Sequence, residues 1–174
     1  MTGVLIEVDD AAVIDALARL GAAGDNPHGF LENIGEILLK STRERFRTET
    51  DPEGKPWAPL NPLYAAGKKA GTKILEASGQ LASTIVYQIA ESALVVGTNR
   101  PHARVHQFGA TIVPKSGAAL VFSMGGETIR AKSVTVPARP FLGVSTEDRE
   151  RIVEFADDFF ADLAGGAGGA APGR

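Results

Sequence analysis

Apolar residues recur along the chain in two rhythms, and the switches between them divide it into elements. Val4 to Val8 (VLIEV) alternates over a short run, as a strand does. Val13, Ile14, Leu17 and Leu20 then fall at helical spacing behind Asp9 and Asp10, either of which can cap a helix by accepting backbone N–H bonds, and Gly21 ends it. GAAGDNP reads as a loop, with Asn26 placed to cap the next helix and Pro27 in its first turn. That helix, about Pro27 to Thr48, is the longest predicted element. Phe30, Ile34, Ile37, Leu38 and Ser41 form its stripe, while Glu32, Glu36, Lys40, Arg43, Glu44 and Arg47 lie elsewhere.

The helical rhythm stops at DPEGKPWAPLNP, residues 51–62, which holds four prolines and the only tryptophan. Proline density of this order breaks a helix and removes the N–H groups an interior strand needs, so the segment predicts an extended arm anchored by Trp57. A lone Trp in such a segment plugs a local core or meets a partner. Residues 65–73 (AAGKKAGTK) are small and basic and prolong the arm. Beyond it, Ser78 to Ser83 predicts one helical turn. Thr84 to Ala90 predicts a strand, with Ala93 to Gly97 its antiparallel partner across Glu91-Ser92. Thr98 to Pro101 breaks the strand, and His102 to Phe108 predicts a short helix ended by Gly109. Thr111 to Val113 is a brief strand. Leu120 to Met124 and Thr128 to Val136 predict a long hairpin turned at Gly125-Gly126, a pair suited to positive φ angles. Pro137 to Pro140 closes it. Thr146 is placed to cap a final amphipathic helix to about Leu163, with Ile152, Phe155, Ala156, Phe159 and Leu163 inward.

Together these elements predict an α+β domain: N-terminal helices, an antiparallel sheet of four or five strands with a long hairpin, and a C-terminal amphipathic helix. Residues 1–164 form one domain with an extended arm (51–73) and a hairpin (115–133), and residues 165–174 form a flexible Gly/Ala tail.

Composition narrows the function classes. The 174 residues carry 18 Lys and Arg against 21 Asp and Glu, a formal charge of −3, without the basic excess of a domain that grips nucleic acid by its phosphates. Cysteine is absent, which removes disulfides, thiolate catalysis and Cys-based zinc sites together. MTGVLIEVDD lacks the features of a secretory signal, and no apolar run reaches membrane-spanning length, so a soluble, cytoplasmically made protein is expected.

Candidate chemistry is thin. His102 and His106 share a helical face, but Ala103, Arg104 and Val105 stand between them where a zinc helix places a glutamate, and a cationic Arg104 disfavours a divalent ion. The plainer role for His106 and Gln107 is to hydrogen-bond local backbone, with His102 exposed. The serines stand in EASGQ, FSMGG and AKSVT, away from any G-x-S-x-G turn, and no phosphate-cradling glycine motif occurs. Lys40, Arg43 and Arg47 share a face at i, i+3, i+7, read as solvated or as facing an acidic partner or a phosphate. Asp157 and Asp158 are the wet face of the last helix. No catalytic residue, cofactor or metal is predicted. Both HARVHQFGATIVP (102–114) and VTVPARPFLGVS (134–145) look instead like joints, where a sharp backbone turn lets apolar side chains lock one element onto another.

Four segments, in order, resemble the phage virion morphogenesis, or tail completion, proteins of long-tailed phages: FRTETDPEGKPWAPL (46–60), ILEASGQLASTI (74–85), ALVVGTNRPHARVHQFGA (93–110) and VPARPFLGVS (136–145). HQFG followed by PARPFLG is the most specific part. His102 departs from the pattern, where the family more often has an aromatic residue. The resemblance implies a structural protein of the virion, assembled in the host cytoplasm and acting at the head-proximal end of the tail or in the neck. It implies a ring, six-fold to match the tail tube, that terminates the tube and enables joining to the head, with DNA passing through the lumen. Its partners would be other copies of itself, the tail tube protein and neck or head-tail connector proteins. Two patches on each subunit are then needed, and Gly-rich or Pro-rich loops that order on docking suit them. The residues expected to matter structurally are Trp57, His106, Gln107, Phe108, Gly109, Pro137, Arg139, Pro140 and Phe141. Arg139, held between prolines, is suited to a forked bond with a carboxylate of its own subunit or the next. The alternatives are a DNA-contacting accessory protein using Lys68, Lys69, Lys73 and the Lys40-Arg43-Arg47 face, and a cryptic hydrolase centred on His102 and His106.

Overall fold

A computed structural model describes residues 4–6, 27–69, 71–90 and 93–166. The first predicted helix and the end of the Gly/Ala tail lie outside the described residues. The first described helix, α1 (Pro27–Thr48), carries the fold, as its length and stripe predicted. Phe30, Leu31, Ile34, Leu38, Leu39 and Phe46 are all buried on it. This apolar arc is wider than the predicted stripe because α1 packs against two layers at once.

One layer is the C-terminal helix α5 (Thr146–Gly166), which runs slightly past Leu163 into the predicted tail. Phe30 nests among Phe155, Phe159 and Phe160 with ring centroids 5.4, 5.3 and 6.0 Å away. The other layer is an antiparallel sheet of β1 (Val4–Ile6), β2 (Val86–Ala90) and β3 (Ala93–Thr98), with β3 central. Gly35 lets the sheet approach, because a Cβ there would stand 2.7 Å from the Tyr87 ring. The core lies between the sheet and the two helices, and Trp57, Leu81, Ile85, Phe141, Leu142 and Ile152 complete it.

Among the described residues, the predicted sheet of four or five strands is instead three separate small sheets. Beside the three-stranded one, β4 (Ala110–Ile112) pairs with β7 (Val134–Val136), and β5 (Leu120–Met124) pairs with β6 (Glu127–Ala131). The long strand foreseen from Thr128 to Val136 breaks at Lys132-Ser133, so its two halves serve different partners. The turn stands where expected: Gly125 and Gly126 have φ of 62° and 84°, as a two-residue hairpin turn of matching twist requires.

Three short helices link these parts: α2 (Pro62–Ala66), α3 (Gln80–Ser83) and α4 (Ala103–Phe108). Helix α2 was not foreseen within the arm; Asn61 accepts from the Leu63 and Tyr64 N–H groups, and Pro62 sits at the first turn, where its missing N–H costs nothing. The arm also doubles back on itself. Thr50 bridges to Pro56, which carries Trp57 into the core. Helix α5 is capped by Ser145 rather than Thr146. The Ser145 hydroxyl accepts from Asp148 N at 3.0 Å while the Asp148 carboxylate accepts from Ser145 N at 2.9 Å, a reciprocal capping box.

Candidate assembly site

Residues Pro137 to Val144 have no regular structure, yet they cross the core of the protein. A buried backbone without a ladder must find its hydrogen bonds elsewhere. Here four consecutive carbonyls are met by side chains from three different elements. Trp57 Nε1 donates to Pro140 O at 2.7 Å, and Arg45 Nη1 to Phe141 O at 3.1 Å. Gln107 Nε2 donates to Leu142 O at 2.8 Å, and Arg45 Nη1 also reaches Gly143 O at 2.9 Å. Gln107 serves as a surrogate strand edge, since its Oε1 accepts from both Phe141 N and Leu142 N at 3.0 Å. Its bonds therefore run to distant backbone rather than to the local backbone expected.

Arg45 is buried with its charge. Its Nη2 meets the Asp148 carboxylate at 2.5 Å, and both side chains are almost wholly enclosed. Burial pulls the guanidinium pKa down, and Asp148 opposes that shift. The pair ties α1 to the first turn of α5 across the 137–144 segment. Phe141, fully buried, packs on Phe46, which also holds Trp57 edge-on at 5.4 Å.

Arg139 is buried too, but no carboxylate faces it. Its Nε and Nη2 donate to Ala58 O and Pro59 O at 2.7 and 2.8 Å, and burial lowers its pKa. The forked bond therefore exists, within the subunit and onto main-chain carbonyls of the arm. The physical reason is local: a proline-rich arm has carbonyls in excess of its N–H donors, and Arg139 supplies the deficit. The Arg139 N–H in turn donates to His106 O at 2.7 Å, joining the segment to α4.

At the end of α4, Gly109 turns the chain with φ 72°, and a Cβ there would stand 2.9 Å from Ala138 N and 3.0 Å from Val136 O. Phe108, just before it, points outward and is 63% exposed. His106 Nδ1 is buried without a hydrogen-bond partner. Burial, then His102, then Arg139 hold the His106 imidazole below its ordinary value, which favours the neutral ring. Its ring meets exposed His102 edge-on at 5.8 Å. A cavity of about 380 Å³ opens beside it, lined in part by His102, His106, Lys68 and Arg139, with no Asp or Glu in its walls. Such a lining offers no carboxylate dyad and no acidic metal ligands. Among the described residues no group of three His, Asp or Glu side chains can hold a metal ion.

Of the residues singled out from sequence, Trp57, His106, Gln107, Gly109, Arg139, Pro140 and Phe141 converge on this joint, while Phe108 and Pro137 lie on its exposed side. Arg45 and Asp148 were missed. Arg45 sat in a helix rich in charge, with nothing local to mark it as buried. The S-x-x-D spacing of Ser145 and Asp148 is a capping-box signal and was legible. The Lys40, Arg43 and Arg47 face is exposed as read, with Arg47 paired to Glu44. Lys73 and Lys68 donate to the Arg47 and Lys73 carbonyls, so two of the arm's basic side chains are engaged inside the chain.

The joint lies within a longer similarity. A protein of Haemophilus influenzae, Mu-like prophage FluMu G protein 2, is 28% identical over 156 residues, covering 89% of this chain and 94% of that protein. A second relative, from Escherichia phage Mu and named "Putative capsid assembly protein G", is 25% identical over 126 residues, covering 70% of this chain and 71% of that protein. No solved structure matches the chain. The phage virion morphogenesis family matches residues 8–161, which span every element of the joint, and the chain belongs to that family of phage structural and assembly proteins.

Proposed function

We propose that this protein completes the phage tail at its head-proximal end and makes it competent to join the head, working as a ring of identical subunits. The observation that carries the reading is the family match across residues 8–161, which includes the whole joint. The order of HQFG and PARPFLG, resembling tail completion proteins, favours the tail over the head. The joint adds a physical argument. It spends Arg45, Asp148, Gln107, Trp57 and Arg139 on fixing backbone. A rigid frame of this kind suits a part that must present surfaces to neighbours at fixed angles. Phe108, Ile112 and Val113 are 63%, 41% and 59% exposed close together in the chain, and exposed apolar residues suit contact with another virion protein. The near-neutral charge suits a lumen through which DNA slides without adhering.

Deletion of the gene from the parent phage or prophage tests the proposal. Negative-stain electron microscopy of the lysate should show full heads beside unattached tails. Overlong tails would assign termination, and tails of normal length would assign joining. Intact infectious particles would overturn the proposal.

A further inference from the structure

Two surfaces of the same chain complement each other in charge. The first is a groove of about 780 Å³ along the outer side of α1, where α1 meets α5. Half-buried Ile37 and Phe155 contribute apolar surface to it, and Lys40, Arg43 and Arg47 stand on its rim. Of its two acids, Glu44 is already paired. Glu36 lies close enough to Tyr87 to help raise its pKa, behind the effect of burial, and Glu44 holds Arg47 through contacts of 2.8 and 2.5 Å. Lys40 and Arg43 are exposed and have no ion-pair partner among the described residues.

The second surface is the outer stripe of α5. Glu150, Glu154 and Asp157 follow one another at i, i+4 and i+7, with Asp158 at the edge, and all are exposed. Val153, 39% exposed, sits among them. Arg149 stands at the same surface, which stays net acidic with four carboxylates to one guanidinium, and Arg151 is bound to Glu147 at 2.7 Å. None of the four acids has an ion-pair partner among the described residues. Ile152 and Ala156, on the opposite side of α5, are buried, so the stripe faces away from the rest of its own chain.

A basic rim around apolar surface thus matches an acidic rim around an exposed valine, and one subunit cannot bring its own two halves together. We propose that the α5 stripe of one copy seats in the α1–α5 groove of a second copy. Lys40 and Arg43 then meet Glu154 and Asp157, and Val153 covers Ile37 and Phe155. Because two different patches meet, the contact runs head to tail and closes rings or extends filaments, depending on the angle. The inference rests on the self-assembly part of the proposed function and supplies its contact.

Sedimentation velocity of the purified full chain, at low and high salt, tests it. The wild type should associate at low salt and come apart as salt screens the charges. The pair Lys40→Glu with Arg43→Glu should abolish association, and so should Glu154→Lys with Asp157→Lys. All four positions are exposed, so the reversals leave the fold intact, which far-ultraviolet circular dichroism checks. An equimolar mixture of the two variants should associate again, because each now offers the complement of the other. A wild type that stays monomeric at low salt, single-face variants that associate like the wild type, or a mixture that stays apart would each overturn the contact. The deletion phenotype is independent of all three results, so a failed contact and a failed tail role are told apart.

Discussion

Asp148 shows what one buried side chain does in this protein. Its carboxylate holds the Arg45 guanidinium and caps the helix it stands on, so removing its charge strands a cation in the core. Asp148→Asn should cost about 3–5 kcal/mol, because an uncompensated buried charge is worse than no charge. The urea midpoint should fall at an unchanged slope, and replacing Arg45 and Asp148 together with apolar residues should cost less than the sum of the two single losses. Full additivity of the two single losses would show that the pair does not act as a unit. His106 carries a second effect with a definite sign. Its pKa is held below the ordinary 6.5 in the folded chain, so the unfolded chain binds that proton first as pH falls. The stability tied to it is complete above the ordinary value and declines on acidification. Between about pH 7 and pH 5.5 the wild type should lose more stability than His106→Gln. Equal losses would place the proton elsewhere.

Packing between elements turns on close approach rather than on propensity. Alanine is the better helix former by about 1 kcal/mol, so Gly35 in the middle of α1 looks like a site to improve. The geometry reverses that expectation. A Cβ would stand 2.7 Å from two Tyr87 ring carbons, including the one nearest the backbone, so relief requires β2 itself to move. Overpacking of this kind costs about 1–3 kcal/mol, which exceeds the gain in propensity. Gly35→Ala should therefore lower the thermal midpoint, and adding Tyr87→Val should recover most of the loss. A midpoint that rises in Gly35→Ala alone would mean that α1 and the sheet sit further apart.

The molecule as a whole separates a tightly bonded interior from exposed apolar residues such as Phe108. The joint spends Gln107, Arg45 and Arg139 on buried backbone, whereas Phe108 contributes little to it. Phe108→Ser should leave stability within about 0.5 kcal/mol, as exposed substitutions do. In a deletion strain complemented with this variant, phage titre should nevertheless drop, with heads and tails accumulating apart. A normal titre would remove Phe108 from the set of contacts. Arg139 belongs on the interior side of this division. Its bonds to Ala58 and Pro59 make it a clamp on the arm, so of the two expectations, own subunit or the next, the fold takes the first, with carbonyls in place of a carboxylate.

Local chemistry determined a good deal of this protein. Periodicity placed α1 and α5, the glycine pair placed the β5–β6 turn, and Gly109 placed the end of α4, because each depends on dihedral preferences or on one face of a single element. The ordered motifs around HQFG and PARPFLG located the joint. Tertiary structure alone decided how the strands were shared out, since the run from Thr128 to Val136 has one local pattern but two partners. It also chose Arg45 over its charged neighbours for the core and gave Gln107 and Arg139 their distant carbonyl partners. A hydrogen bond between residues 35 or 80 positions apart leaves no periodic trace in sequence. What selects it is the need of a buried, ladderless backbone for donors and acceptors, a need that arises only once the chain has closed around it.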